Sequence, residues 1–364
     1  MKKKHQHFIP RTYLKNFAHT QNGDTFLIDA YGKTKGEVIS NMSVADICVE
    51  TDLYTLKHLE GNGKYKIEDF FSENIENKYP KIYRLLVEEK KQIISPEERV
   101  LIFYTTLSMY FRTPKILNQF VAFSANLIQQ LKSEKDIDSI YFLGYEFSLK
   151  DKSFAEIKKE IKETNRINFI KPQLALLEQF VSFKAFDSLV VIELVGEQEF
   201  ITSDNPVEIR NSLIPEFNLF DAGNSIYVPL DPKHALLIAP RLEKSIVNQV
   251  FYQRDNFFHH VILNHRVFEN AERWVLGTRL GVRNFLEDEE KYTKPVSDDH
   301  PLVVKMETKL ELMETLEKLA RKGISNDNKE LVVFLKKLRK HPLYKESVEF
   351  QDAYKTLKNI GLRI

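Results

Sequence analysis

The spacing of apolar positions divides this chain into strand-like, helix-like and again strand-like stretches. Near the N-terminus, Thr25-Phe26-Leu27-Ile28-Asp29-Ala30 reads as a strand entered through the turn residues Gln21-Asn22-Gly23-Asp24. Asp52-Leu53-Tyr54-Thr55-Leu56 reads as another. From Ile67 to Ala185 the apolar period becomes helical, beginning with Phe70, Phe71, Ile75, Tyr79, Ile82, Leu85 and Leu86. Ser95-Pro96-Glu97-Glu98 marks a helix start: a Ser cap, Pro in the first turn and Glu three residues after the cap. The helix it opens runs to Phe111 and is apolar nearly all round, which predicts burial. Ser153-Phe154-Ala155-Glu156 is a second capping box.

Strand-like segments then return. Leu189 to Val195 is rich in β-branched and aliphatic residues, Gly196 to Glu199 can turn the chain, and Phe200-Ile201-Thr202 is expected to pair back on it. Ser225 to Leu230 and His234 to Pro240 read as two more strands. Glu243 to Gly277 has the pattern of one long amphipathic helix. Leu286 to Pro301 is acidic and then polar and reads as a linker. Three helical stretches follow: Met306 to Arg321, Glu330 to His341 and Leu343 to Lys358.

The expected fold class is α+β: a helical middle region packed on a small, mostly antiparallel sheet, with a helical C-terminal extension. The expected domains are a core over residues 1–285, a linker over 286–301 and the extension over 302–364. Within the core, the expected parts are N-terminal strands (1–60), a helical region (67–185), strands (189–240) and the long helix (243–277).

Composition changes the picture in three ways. Lys+Arg 53 against Asp+Glu 52 leaves no global basic field to advertise nucleic acid. Cys48 is the only cysteine, which excludes an intrachain disulfide and any multi-cysteine zinc site and suits a reducing cytoplasm. The apolar runs are too short to span a bilayer, so no membrane partner is expected. The chain also lacks the P-loop, dinucleotide-binding, H-E-x-x-H and G-x-S-x-G patterns, which argues against the chemistries they carry.

Candidate chemistry centres on Ile201-Thr202-Ser203-Asp204-Asn205-Pro206-Val207, where a hydroxyl, a carboxylate and an amide meet at one strand end. Turn chemistry by itself accounts for all three polar residues. The expected partner is His5-Gln6-His7-Phe8-Ile9-Pro10. If that segment is extended, His5 and His7 share a side, a geometry that suits two metal ligands or one anion. The alternative is a frayed terminus with exposed histidines. Arg112, at the end of the buried helix, either complements that helix end or binds a phosphate or carboxylate with its fork. Asn264 shares a helix face with His260 and is a further candidate. Glu68, Glu73 and Glu76 join the site only if their helix packs against it.

Taken together, His5-x-His7-x-x-Pro10-x-x-x-Leu14-x-x-Phe17, Asp52-Leu53-Tyr54-Thr55, Arg112-Thr113-Pro114, Ser203-Asp204-Asn205-Pro206, and Asn264 followed by Ala271 resemble the bacterial domain-of-unknown-function 4238 family. The resemblance covers roughly the first 280 residues. It implies a bacterial origin and, because some relatives are associated with defence against bacteriophages, an antiviral setting. It supplies no established reaction.

Two functional expectations follow. In the first the protein is a metal-assisted hydrolase, a nuclease acting in phage defence. His7, Asp204 and Asn205 are then catalytic. His5, His7 and Asp204 hold a divalent metal ion, and Arg112 and Asn264 bind substrate. In the second it is a non-enzymatic sensor or protein-binding module, and the His/Asp/Asn cluster is a structural hydrogen-bond network. The expected partners are nucleic acid or a phage component, and a second copy or another protein bound through residues 302–364.

Overall fold

The computed structural model describes residues 5–55, 60–135, 137–142, 145–168, 170–211, 218–241, 247–255, 258–293, 301–359 and 361–363. The chain divides into two units, Met1–Phe285 and Leu286–Ile364.

The larger unit begins with β1 (His5–His7), α1 (Arg11–Leu14), β2 (Thr20–Asn22), β3 (Thr25–Gly32), β4 (Glu37–Ser43) and β5 (Val49–Thr51). Helices α2 (Lys66–Asn74), α3 (Tyr79–Tyr83), α4 (Pro96–Phe111) and α5 (Pro114–Lys135) follow. Next come the hairpin β6 (Ser139–Phe142) and β7 (Tyr145–Ser148), then α6 (Phe154–Asn168) and α7 (Ile170–Lys184). The remaining elements are β8 (Ser188–Leu194), β9 (Thr202–Ser203), β10 (Glu208–Arg210), β11 (Ser225–Pro229), β12 (His234–Ala239), β13 (Val250–Asp255), α8 (Phe258–Asn270), β14 (Trp274–Gly277) and α9 (Arg279–Thr293).

The fold is α+β, but the strands form two main sheets rather than one. In the first the order is β10-β11-β12-β8-β13. Its pairs are antiparallel except β13 against β8, which is parallel. Leu189, Val191 and Ile192 of β8 are all buried, as a near-continuous apolar run predicts for a central strand. In the second the order is β2-β3-β14-β9, with β4 also on β3. The capping box at Ser95 forms: its hydroxyl accepts from Glu98 N, and the Glu98 carboxylate accepts from Ser95 N. Ile102, Phe103, Leu107, Met109 and Phe111 of α4 are buried. Helix α4 packs on α7, and α5 on α6.

Four expectations are corrected. Thr202 does not pair back on the Leu189 strand; β9 joins the second sheet through β14, with Val275 opposite Ser203. The long helix expected over 243–277 is strand, helix and strand. Val250-Phe251-Tyr252 and Trp274-Val275 are β-branched and aromatic residues that strands recruit, although their spacing also fits a helix. Residues 242–246 of that stretch lie outside the described residues. Asp52-Leu53-Tyr54 is a turn, with Asp52 at φ +57°, a left-handed conformation that ends strand β5. The linker expected over 286–301 is helical as far as Thr293, and 294–300 lie outside the described residues.

The smaller unit contains α10 (Pro301–Arg321), α11 (Lys329–Lys340), α12 (Pro342–Glu346) and α13 (Val348–Asn359). Leu331, Leu335, Leu338, Phe350 and Tyr354 form a core of its own. Among the described residues no helix is long and apolar enough to cross a membrane.

Candidate functional site

The Ser-Asp-Asn-Pro element sits where the chain leaves the second sheet at β9 and enters the first at β10. Ser203 Oγ accepts from Asn205 N at 3.1 Å, so the turn chemistry is real. The Asp204 side chain does something else. Its Oδ1 accepts from Glu272 N at 2.9 Å, and its Oδ2 from Arg273 N at 2.8 Å and Trp274 N at 3.3 Å. One buried carboxylate therefore shapes the turn from α8 into β14. Burial raises the Asp204 carboxyl above the usual carboxylate range, against the pull of the three N–H donors.

The flanking amides extend this binding of chain to chain. Asn205 Nδ2 donates to Asn270 O at 3.1 Å, while Asn270 Nδ2 donates to Asn205 O and Val207 O at 2.8 and 3.0 Å. Asn264 accepts from Ile201 N and donates to Glu199 O, which pins the approach to β9 onto α8. Asn264 is thus placed as a bridge between two backbone segments. His260, one turn away on α8, is also buried; the His259 side chain lies outside the described residues.

At the N-terminus, β1 pairs with β5, and the alternation holds: His5 exposed, Gln6 buried, His7 half-buried. The buried member between the two histidines carries the tightest bonds. Gln6 Nε2 donates to Thr55 Oγ1 at 3.1 Å, and its Oε1 accepts from Tyr54 N at 2.5 Å. His7 Nε2 donates to Val44 O at 3.3 Å. Burial lowers its pKa to about 4 despite the raising influence of Glu76, so the ring is neutral near pH 7. The N-terminal element reaches the Ser-Asp-Asn-Pro element through Tyr13, whose hydroxyl is 2.5 Å from Thr202 Oγ1.

Arg112 is buried, and one of its terminal nitrogens donates to both His7 O and Glu76 Oε1 at 2.7 Å. Its guanidinium lies over Phe71, 4.2 Å from the ring centroid. Of the three glutamates considered as late additions to the site, Glu76 is the one this packing brings to Arg112. The fork joins α4 to the N-terminal strand. Among the described residues, no group of three or more His, Cys, Asp or Glu is arranged to hold a metal ion.

Beside this closed network lies a cleft of about 310 Å³, lined by α5, β10 and the end of α8. Its charged residues are Lys115, Glu208, Arg210, Arg266 and Glu269, with Asn205 and Asn270 among the polar ones. Lys115 Nζ donates to Asn270 Oδ1 at 2.9 Å. Arg210 pairs with Glu208 at 2.9 Å and with Glu269 at 3.1 Å. Burial raises the pKa of Glu208 and lowers that of Arg266.

Residues 5–279 match the family model described as a protein of unknown function (DUF4238). The chain belongs to this family. No curated protein and no solved structure matches it. The DUF4238 region contains every residue of the network and cleft just described, and the smaller helical unit lies outside it.

Sequence reasoning missed Gln6, Tyr13, Lys115 and Asn270. Gln6 was hidden between two more conspicuous histidines. Tyr13 read only as part of an apolar helix face. Asn270 carried a usable signal, since Asn after an apolar helical run favours the helix end. Lys115 carried none, because a lysine in a first helical turn is ordinarily solvated.

Proposed function

We propose that this DUF4238 protein is a non-enzymatic sensor or binding protein, in which the His/Asp/Asn cluster holds the fold and the adjoining cleft does the recognising. The observation that carries this reading is the Asp204 carboxylate, whose two oxygens already accept three backbone N–H bonds. A carboxylate offers about four lone-pair positions, so three N–H bonds leave Asp204 at most one for the proton or cation that a general base or metal ligand must take. Arg112 points the same way, since it is buried and one of its two terminal nitrogens serves Glu76 and a backbone carbonyl rather than an open surface. The metal-assisted nuclease expectation therefore has less support. A bacterial cytoplasmic setting and a phage or host protein partner for the helical unit over 302–364 belong to the same proposal.

The test is a cleavage assay on purified protein, paired with thermal unfolding. Plasmid DNA, single-stranded DNA and total RNA are incubated with magnesium or manganese, with chelator as control. The binding-protein reading expects no metal-dependent cleavage, and an Asp204→Ala variant that melts well below the parent. Metal-dependent cleavage lost in an Asp204→Ala protein of unchanged melting temperature overturns it.

A further inference from the structure

We propose that the cleft between the start of α5, strand β10 and the last turn of α8 binds a small zwitterion of the α-amino-acid class. The inference rests on the binding-protein reading and names the ligand of that site. The cleft's volume of about 310 Å³ suits a small polar molecule.

Charge narrows the class: the cleft is lined by three cations, Lys115, Arg210 and Arg266, and two carboxylates, Glu208 and Glu269, a surplus of one positive charge. Arg210 is held by both glutamates. Arg266 differs: among the described residues it makes no hydrogen bond, and its ion-pair contact with Glu208 is long, 3.9 Å. A guanidinium that is only 29% exposed and so loosely paired retains its planar fork for a carboxylate.

Asn205 is 1% exposed, and among the described residues its buried Oδ1 has no hydrogen-bond partner. Its orientation is fixed, because Nδ2 donates to Asn270 O and a flipped amide would set two oxygens against each other. Buried polar atoms of native proteins are nearly always paired, so an orphan on a residue that lines a charged cleft points to a ligand donor. An N–H seated there supplies the missing bond.

These features select among ligand classes. A dianionic phosphate ester meets two carboxylates, Glu208 and Glu269. A bare amine meets a surplus of positive charge. A molecule that offers a carboxylate to Arg266 and an ammonium to the Asn205 and Glu269 side satisfies both sets of groups.

The experiment is isothermal titration of the full chain with each common α-amino acid. Acetate, methylamine, inorganic phosphate and adenosine monophosphate serve as comparison probes. The expected result is saturable binding of at least one amino acid, with acetate and methylamine much weaker. Arg266→Gln weakens that binding about tenfold or more while the melting temperature holds. Gln119→Trp, which fills the cleft from an exposed position on α5, abolishes it. No amino-acid binding to folded protein at millimolar concentration overturns the proposal, as does binding that both variants leave unchanged. If phosphate or the nucleotide binds instead and both variants weaken it, the zwitterion class falls while the binding-protein reading stands. That reading is tested separately by the cleavage assay.

Discussion

Asp204 and Asn205 are adjacent in the chain and opposite in chemistry. The Asp204 carboxylate is committed to three backbone donors. The Asn205 amide uses its donor side and, among the described residues, leaves its oxygen without a partner. On one side of this peptide lies a closed network that runs through the sheets and α8. On the other lies a cleft whose charges are only partly matched. The difference separates a buried polar residue that builds the fold from one that is left able to recognise something else. Residue type does not make that distinction: by type alone, Asp204 is the better catalyst. What decides is how many of its bonding positions the fold has already filled.

The largest effect is expected at Arg112, a buried cation paired with Glu76. Arg112→Met leaves Glu76 without its cation and His7 O without its donor, and costs on the order of 3–5 kcal/mol. In a Glu76→Gln background the same change costs less, because no unpaired carboxylate remains. Chemical denaturation of the four proteins of this cycle measures the difference. An Arg112→Met protein as stable as the parent removes Arg112 from the network and restores it as a candidate anion ligand.

Asp204→Ala comes next, with an expected loss of about 2–4 kcal/mol as three backbone donors lose their acceptor. For a unit of this size the melting temperature falls by about 3–7 °C. Asp204→Asn keeps one acceptor and falls in between. A melting temperature within a degree or two of the parent contradicts the structural role.

How much of this was legible in the sequence follows from the range of the forces involved. The capping box at Ser95 and the buried α4 are local: four residues and one period determine them. The strand at Leu189 was legible for the same reason. The partner of Thr202 was not, because β9 chooses β14 over the nearer β8 through pairing that spans more than seventy residues. Val250 to Asp255 failed likewise: the parallel place beside β8 overrides a helical spacing that is also present. For the site, the sequence brought His7, Arg112, Asp204, Asn205 and Asn264 forward as polar residues in apolar surroundings. It could not show whether their bonds are filled. Tyr13 to Thr202 and Arg112 to Glu76 are contacts that only the folded chain creates.

The histidine offers a test that leaves the rest of the network in place. His7 is held neutral when folded, with a pKa of about 4 against an ordinary 6.5. Between those values the unfolded chain binds a proton that the folded chain refuses. Stability from this group is therefore fully present above about pH 6.5 and is lost as the pH falls toward 4. His7→Gln removes the titration while keeping a side chain able to donate to Val44 O. The expected outcome is a shallower fall in melting temperature between pH 6.5 and 4 than in the parent. Equal slopes in the two proteins place the ring in water and detach it from the network.

The smallest effect on stability is expected at the cleft, and its smallness is the point. Arg266 is partly exposed, makes a 3.9 Å contact with Glu208 and, among the described residues, supports no backbone segment through a hydrogen bond. Arg266→Gln is therefore expected to change stability by no more than about 1 kcal/mol, less than any variant above. The other cleft cations predict a graded response: Lys115 is bonded to Asn270, so Lys115→Met costs more. Denaturant midpoints for the two variants measure this order. If Arg266→Gln destabilises the protein as much as Asp204→Ala does, the cleft is a further part of the scaffold, and the contrast between Asp204 and Asn205 disappears.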